Sequence, residues 1–198
     1  MNDDIRKWVP QFTTETSNGV HDLELQTKHF DNRKIFLTGE VTDQMAIDFV
    51  SEMEYLAESN EPVTIFINSP GGSVNAGLLI YDVIQTAPFP IDMYCIGMAA
   101  SMGAIILAGG QKGRRFILPH SKVMIHEPLI SGGMGGSASS IKKTADSILE
   151  TKKITNTILS KHTGKSVKEV DKATSFDNYM NAEEAVEFGI CDEIRNLF

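Results

Sequence analysis

The chain reads as a single α/β domain, and three observations lead there. Short apolar runs of β type alternate with segments whose apolar residues recur at helical spacing, the pattern of a sheet covered by helices. The 198 residues are 41% hydrophobic, enough to bury one sizeable core. No internal repeat and no composition break divides the chain in two.

Residues 1–27 are polar and weakly patterned, which predicts a mobile arm ahead of a domain spanning 28–198. Lys34–Gly39 is a strand, and the helix near Asp43–Ser59 sets Met45, Phe49, Met53 and Leu56 on one face. Val63–Asn68 is the next strand. Pro70-Gly71-Gly72-Ser73 then makes a turn whose serine caps a helix over Val74–Thr86. Strand Ile91–Ile96 ends in the small-residue turn Gly97-Met98-Ala99-Ala100, which leads to Ser101 and a helix over Met102–Ala108. Lys112, Arg114 and Arg115 form the densest basic cluster, read as a solvated turn after Gly109-Gly110. Ser121–Pro128 is a β-type run closed by a proline that cannot continue a central strand. Ser131–Ala138 is rich in glycine but lacks the Gly-Lys-Ser/Thr ending of a phosphate loop, so it reads as a linker. After it, Ile141, Ala145, Ile148, Thr155 and Ile158 mark the apolar stripe of a helix of about 20 residues or more, suited to a partner. Asn181 as N-cap, Glu184 at the capping-box position and Gly189 as terminator define a last short helix.

Three residues on this framework suit nucleophilic catalysis. Ser101 lies where a strand gives way to a helix, so substrate can approach closely and the free N–H groups of the helix start face any oxyanion formed there. Taken alone, a serine at a helix start is most often an N-cap. The spacing is not the G-x-S-x-G elbow. His126 stands near a strand end, from which a base can reach into a cleft, and Asp177 lies in the loop just before the well-capped helix. The order Ser, His, Asp is compatible with a triad, which is defined by geometry and roles.

At these residues the sequence resembles the proteolytic subunit of the Clp protease, ClpP. The resemblance runs from Ile35 to Ile194. Its most specific stretches are Ile67-Asn68-Ser69-Pro70-Gly71-Gly72-Ser73, Ile96–Gly103, Val123–Leu129, His162-Thr163-Gly164 and Ala182-Glu183-Glu184-Ala185. It implies the ClpP/crotonase-like spiral of ββα units with a projecting handle over about 129–162. It also implies Ser101 as nucleophile, His126 as general base and Asp177 as triad acid. The backbone N–H groups of Gly72 and Met102 would be the oxyanion donors, with Gly71, Pro128 and Leu129 beside the substrate. The implied activity is serine endopeptidase action on unfolded polypeptides within stacked heptameric rings, a tetradecamer. An ATP-dependent AAA+ unfoldase would feed it, and the subunit would need no cofactor of its own. In ClpP-like chains the N-terminal region forms axial loops around the ring entrance. A sibling ClpP subunit is a further implied partner. Two other readings are an acyl-CoA-binding crotonase relative with similar oxyanion donors and a weakly active structural subunit of a mixed ring.

Several positions depart from the family. Phe176 stands where an arginine usually precedes the triad aspartate, so an inter-ring ion pair cannot form there. Glu127 replaces the usual glutamine and brings a carboxylate beside His126. The handle is about two residues longer after Pro128 than in relatives. The unfoldase-docking surface falls on Thr64, Phe66, Thr86, Phe116 and Arg195, where Thr86 and Arg195 replace apolar residues; a buried, unpaired Arg195 predicts a weakened pocket, and an Arg195 turned to solvent predicts an ordinary one.

Composition narrows the partners. A net charge of −8 and a pI near 5.1 argue against a nucleic-acid surface. Cys95 and Cys191 have neither metal-ligand spacing nor a disulfide framework, which predicts reduced core thiols in a cytoplasmic protein. The acidic start, Asp3-Asp4, does not read as a signal peptide, and no run approaches membrane-spanning length.

Overall fold

Alternation of apolar strands with half-apolar helices builds a mostly parallel sheet flanked by helices. A computed structural model describes residues 10–16, 19–129 and 135–198. The first nine residues of the expected arm and Ser131–Met134 of the glycine-rich linker lie outside the described residues. In chain order the elements are β1 (Gln11–Thr16), β2 (Gly19–Glu24), α1 (Leu25–Asp31), β3 (Lys34–Thr38), α2 (Asp43–Leu56), β4 (Val63–Ser69), α3 (Val74–Thr86), β5 (Ile91–Ala100) and α4 (Met102–Ala108). They continue with β6 (Arg115–Ile117), β7 (Lys122–Ile125), α5 (Ala138–Thr163), α6 (Val167–Thr174), β8 (Asn178–Met180), α7 (Ala182–Phe188) and β9 (Glu193–Ile194).

Strands β3, β4, β5, β6 and β9 run parallel in that order, and β7 pairs with β5 on one side and antiparallel with β8 on the other. The core is the face that α2, α3 and α4 cover. Ile65, Ile67, Ile91, Met93, Phe49, Ile80 and Leu107 are buried there, as the periodicity requires. Five predicted elements, β3, β4, α3, α4 and α7, match within two residues, with Ser73 accepting from the Ala76 N–H and Asn181 reciprocating with Glu184 as foreseen. On α2 the inward residues are Ala46, Phe49, Met53 and Leu56, while Met45 is only half-buried.

Four readings are corrected. Gly97–Ala100 is not a turn but the second half of β5, which pairs with β6 over Met93–Cys95 and with β7 over Met98–Ala100. The described part of the N-terminal arm is a β1–β2 hairpin, held by the Thr13 hydroxyl donating to Asp22 at 2.8 Å, and α1 crosses the expected boundary at 27. Helix α5 extends over 26 residues, but Thr155 and Ile158 pack into the chain's own core, leaving Ile141 exposed and Ile148 half-buried. Arg115 is not solvated: it is 2% exposed and forms a bidentate pair with Asp192, with Nε to Oδ2 at 2.9 Å. Its remaining donors bond the Ala108 carbonyl at the end of α4 and the His162 carbonyl near the end of α5. A buried guanidinium thereby bonds a carbonyl at each of two helix C-termini.

Candidate active site

Ser101 is presented by strain held in place by burial. Its backbone lies at φ 52°, ψ −119°, a region that residues with a side chain avoid at a cost of roughly 1–3 kcal/mol. Every residue of the following α4 is buried, and the Ser101 N–H donates to the Met124 carbonyl at 2.8 Å, so the surroundings hold the conformation. The serine makes no side-chain cap to α4. Its hydroxyl instead lies 2.8 Å from His126 Nε2, which overturns the N-cap alternative.

Strand register brings the other two residues together. Antiparallel β7 and β8 align Val123 with Met180, Met124 with Tyr179 and Ile125 with Asn178, so the next pair outward is His126 with Asp177. His126 Nδ1 and Asp177 Oδ1 are 3.3 Å apart, with the imidazole 14% and the carboxylate 57% exposed. That separation suits an ion pair, but the carboxylate lies off the line of the ring N–H, and Nδ1 is buried without a hydrogen-bond partner. Such contacts are often loose before substrate binds.

The glycine turn stands opposite. An isolated parallel bridge joins Val41 to Gly72: the Val41 N–H donates to the Gly71 carbonyl and the Ser73 N–H to the Val41 carbonyl, both at 2.8 Å. In a parallel bridge the flanking groups make those bonds, so the Gly72 N–H points to the other side. The Met102 N–H is the first of α4 and has no carbonyl within the helix to meet. Gly71 and Gly72 adopt φ of 93° and 153°. A Cβ on Gly71 would stand 2.6 Å from Ser101 Cβ and 3.0 Å from Met102 N, so only glycine admits this close approach.

Beside Ser101 and His126 lies a narrow apolar cavity lined by Val74, Met102, Ile105, Pro128 and Leu159, with Thr155 at its wall. Leu129 is 70% exposed and is not among the lining residues. The site thus combines a hydroxyl in contact with an imidazole, two available backbone donors and an apolar recess. That arrangement can perform acyl transfer.

Sequence reasoning missed the polar supports. Glu127 pairs with Lys152 at 2.8 Å, and the same ammonium meets Asp171 at 2.9 Å. These bonds raise the Lys152 pKa. His162 Nε2 lies 2.8 Å from the Tyr81 hydroxyl, and burial, aided by the Lys161 and Arg115 charges, depresses its pKa to about 4. The signal available for His162 was its place in His-Thr-Gly; the partner is 81 residues away and left none. Both cysteines are free and buried, and burial pushes the Cys95 thiol up to about 12.

The outer sheet face differs from expectation. Phe36, Phe66, Tyr94 and Phe116 form a ladder of adjacent rings with centroids 4.8 to 5.7 Å apart. Arg195 is not buried unpaired: it is 42% exposed, binds Glu193 at 2.6 Å and lies 3.7 Å above the Phe116 ring. Thr86 is apart from the ladder, its hydroxyl turned back to the Asp82 carbonyl of α3. Phe176 is 86% exposed.

Among the described residues no cluster of His, Cys, Asp and Glu has the arrangement of a metal site, and no helix is long and apolar enough to cross a membrane. Comparison with family models finds Clp protease matching residues 17–197. The match takes in the glycine turn, the serine, the histidine and the aspartate in their order along the chain, and with it the chain belongs to the Clp protease family, as a peptidase of the ClpP type.

Proposed function

We propose that this chain is a serine endopeptidase in which Ser101, His126 and Asp177 act as nucleophile, base and orienting acid. The observation that carries the reading is the 2.8 Å contact between Ser101 Oγ and His126 Nε2, with Asp177 facing the far ring nitrogen. His126 takes the hydroxyl proton as Ser101 attacks the scissile carbonyl, and the Gly72 and Met102 N–H groups receive the oxyanion. The imidazolium then protonates the leaving amine, and the acyl-enzyme is released by water through the same steps. Asp177 fixes the tautomer and offsets the charge on the ring. The apolar recess at Pro128 takes an apolar side chain of the substrate.

The substrates are unfolded polypeptides, delivered in the cytoplasm to heptameric rings, stacked as a tetradecamer, by an ATP-dependent unfoldase. Support comes from family membership and from apolar residues left bare on α5, Leu149 at 63% and Ile154 at 42% exposure. Covalent labelling by a fluorophosphonate, with native mass measurement of the same sample, tests both parts. The label should sit on Ser101 of a large ring, and Ser101→Ala should lose label and peptidase activity while keeping its fold. Wild-type turnover in Ser101→Ala would refute the mechanism, and an active monomer would refute the assembly.

A second reading, a weakly active subunit that relies on a sibling ring or unfoldase, draws on the unpartnered Nδ1 of His126. Full peptidase activity of the chain alone, with no gain from either partner, counts against it.

A further inference from the structure

The stretch after His126 and the stretch before Asp177 are joined twice. The Glu127 N–H donates to the Thr174 carbonyl at 2.7 Å. Around that bond, Lys152 reaches from α5 to the Glu127 carboxylate at 2.8 Å and to Asp171 on α6 at 2.9 Å. One turn further along α5, Asn156 bonds both Asp171 and the hydroxyl of Thr174, at 3.2 and 3.3 Å. Asn156 and Thr174 are 3% and 0% exposed, so the lower half of this link is fixed in the core. Lys152 itself is 23% exposed.

Without the ammonium, two carboxylates that now share one nitrogen would face each other. Their repulsion would act between the segment bearing His126 and the helix whose end leads, three residues on, to Asp177. That is where the 3.3 Å contact of His126 with Asp177 must be kept.

We infer that Lys152 is a positioning residue for hydrolysis: by pairing at once with Glu127 and Asp171 it sets the separation of His126 from Asp177. The inference rests on the serine-peptidase reading above. Lys152 touches no reacting atom, so its loss acts on turnover rather than on substrate binding.

The test is steady-state peptide hydrolysis by the full chain in its native assembly, with fluorophosphonate labelling and thermal unfolding of the same preparations. Lys152→Met should lower kcat about three- to tenfold with KM unchanged, the range set by a partly exposed double ion pair. Lys152→Arg should restore most of the rate. In a Glu127→Gln background the Lys152→Met loss should shrink, because the repelling carboxylate is gone. An unchanged kcat in Lys152→Met, a change confined to KM, or an equal loss in both backgrounds would each overturn the inference. Should Lys152→Met not fold, Lys152→Gln removes the same charge while keeping a polar side chain between the two carboxylates, and an unaltered kcat there would overturn it equally. If wild type itself takes no label at Ser101, the peptidase reading fails and the inference falls with it. A labelled, active wild type beside a fully active Lys152→Met sinks the inference alone.

Discussion

Gly71→Ala puts one methyl group where the chemistry needs space. The added Cβ would meet Ser101 Cβ at 2.6 Å and the Ala100 carbonyl at 2.8 Å, and it would stand 3.0 Å from Met102 N. A backbone donor should hold the developing oxyanion at about 2.7–3.1 Å, so the methyl competes for that position. Loss of one such donor costs about 3 kcal/mol of barrier, or roughly two to three orders of magnitude in kcat. The backbone at φ 93° adds roughly 1–2 kcal/mol of strain in the folded state, a cost that stability bears rather than rate. Peptide hydrolysis, fluorophosphonate labelling and thermal unfolding of the variant separate the two. Expected is a melting temperature lowered by more than the φ strain alone, because the Ala100 carbonyl and Ser101 must shift to admit the methyl, and at least about a hundredfold lower kcat in the folded protein. Hydrolysis within threefold of wild type would refute the placement of the oxyanion between Gly72 and Met102.

Two further predictions concern stability. Arg115→Met should cost about 3–5 kcal/mol, measured by denaturant unfolding, because Asp192 and the carbonyls of Ala108 and His162 lose their partner. Replacing Asp192 by asparagine as well should recover part of that loss, since the amide oxygen keeps the bonds from the Gly113 and Arg115 N–H groups without an unpaired charge, and a double variant as unstable as the sum of both changes would refute the account. Burial works to raise the Asp192 pKa, but bonds from Arg115 and the Gly113 N–H outweigh it and hold the carboxyl low. Its stabilising contribution is therefore complete above a pH of about 4 and lost as pH falls below that. His162 is the reverse kind of group: kept neutral in the fold with a pKa of about 4, it binds its proton more readily when unfolded, near pH 6.5. Stability should thus be full above about pH 6.5 and decline by roughly 1–2 kcal/mol on the way to pH 4, allowing for partial exposure. His162→Gln should flatten that slope in unfolding titrations at pH 7.5 and 5; an unchanged slope counts against it.

Local signals made much of this legible. The Asn181, Glu184 and Gly189 cap, the Ser73 cap and the periodicity of α3 each depend on residues within one or two turns, and the structure places them as read. The meeting of Ser101 with His126 was accessible only through the family pattern, since register between β5 and β7 is not written in either strand alone. Beyond that, long-range pairing hid the rest. Arg115 looked like a surface residue because its neighbours Lys112 and Arg114 are charged, whereas its partner Asp192 lies 77 positions away. The tail of β5 escaped notice because glycine and alanine carry no β signal; pairing with β7 supplies the strand instead. The described residues of the N-terminal hairpin are mostly polar, with Val20 exposed among the few apolar ones, so no apolar alternation announced it.

The burial of α4 divides the site into a fixed half and an adjustable one. With all seven residues from Met102 to Ala108 enclosed, the hydroxyl of Ser101 is anchored to the centre of the molecule and cannot drift without disturbing the whole core. Asp177, more than half exposed on a short loop, has no such anchor. Any tuning of this enzyme, by natural drift, by a bound neighbour or by an engineer, therefore meets least resistance on the histidine and aspartate side. Variants selected for altered activity should accumulate around the exposed loop bearing Asp177 and the adjoining start of β8, and spare the strand and helix that carry the serine.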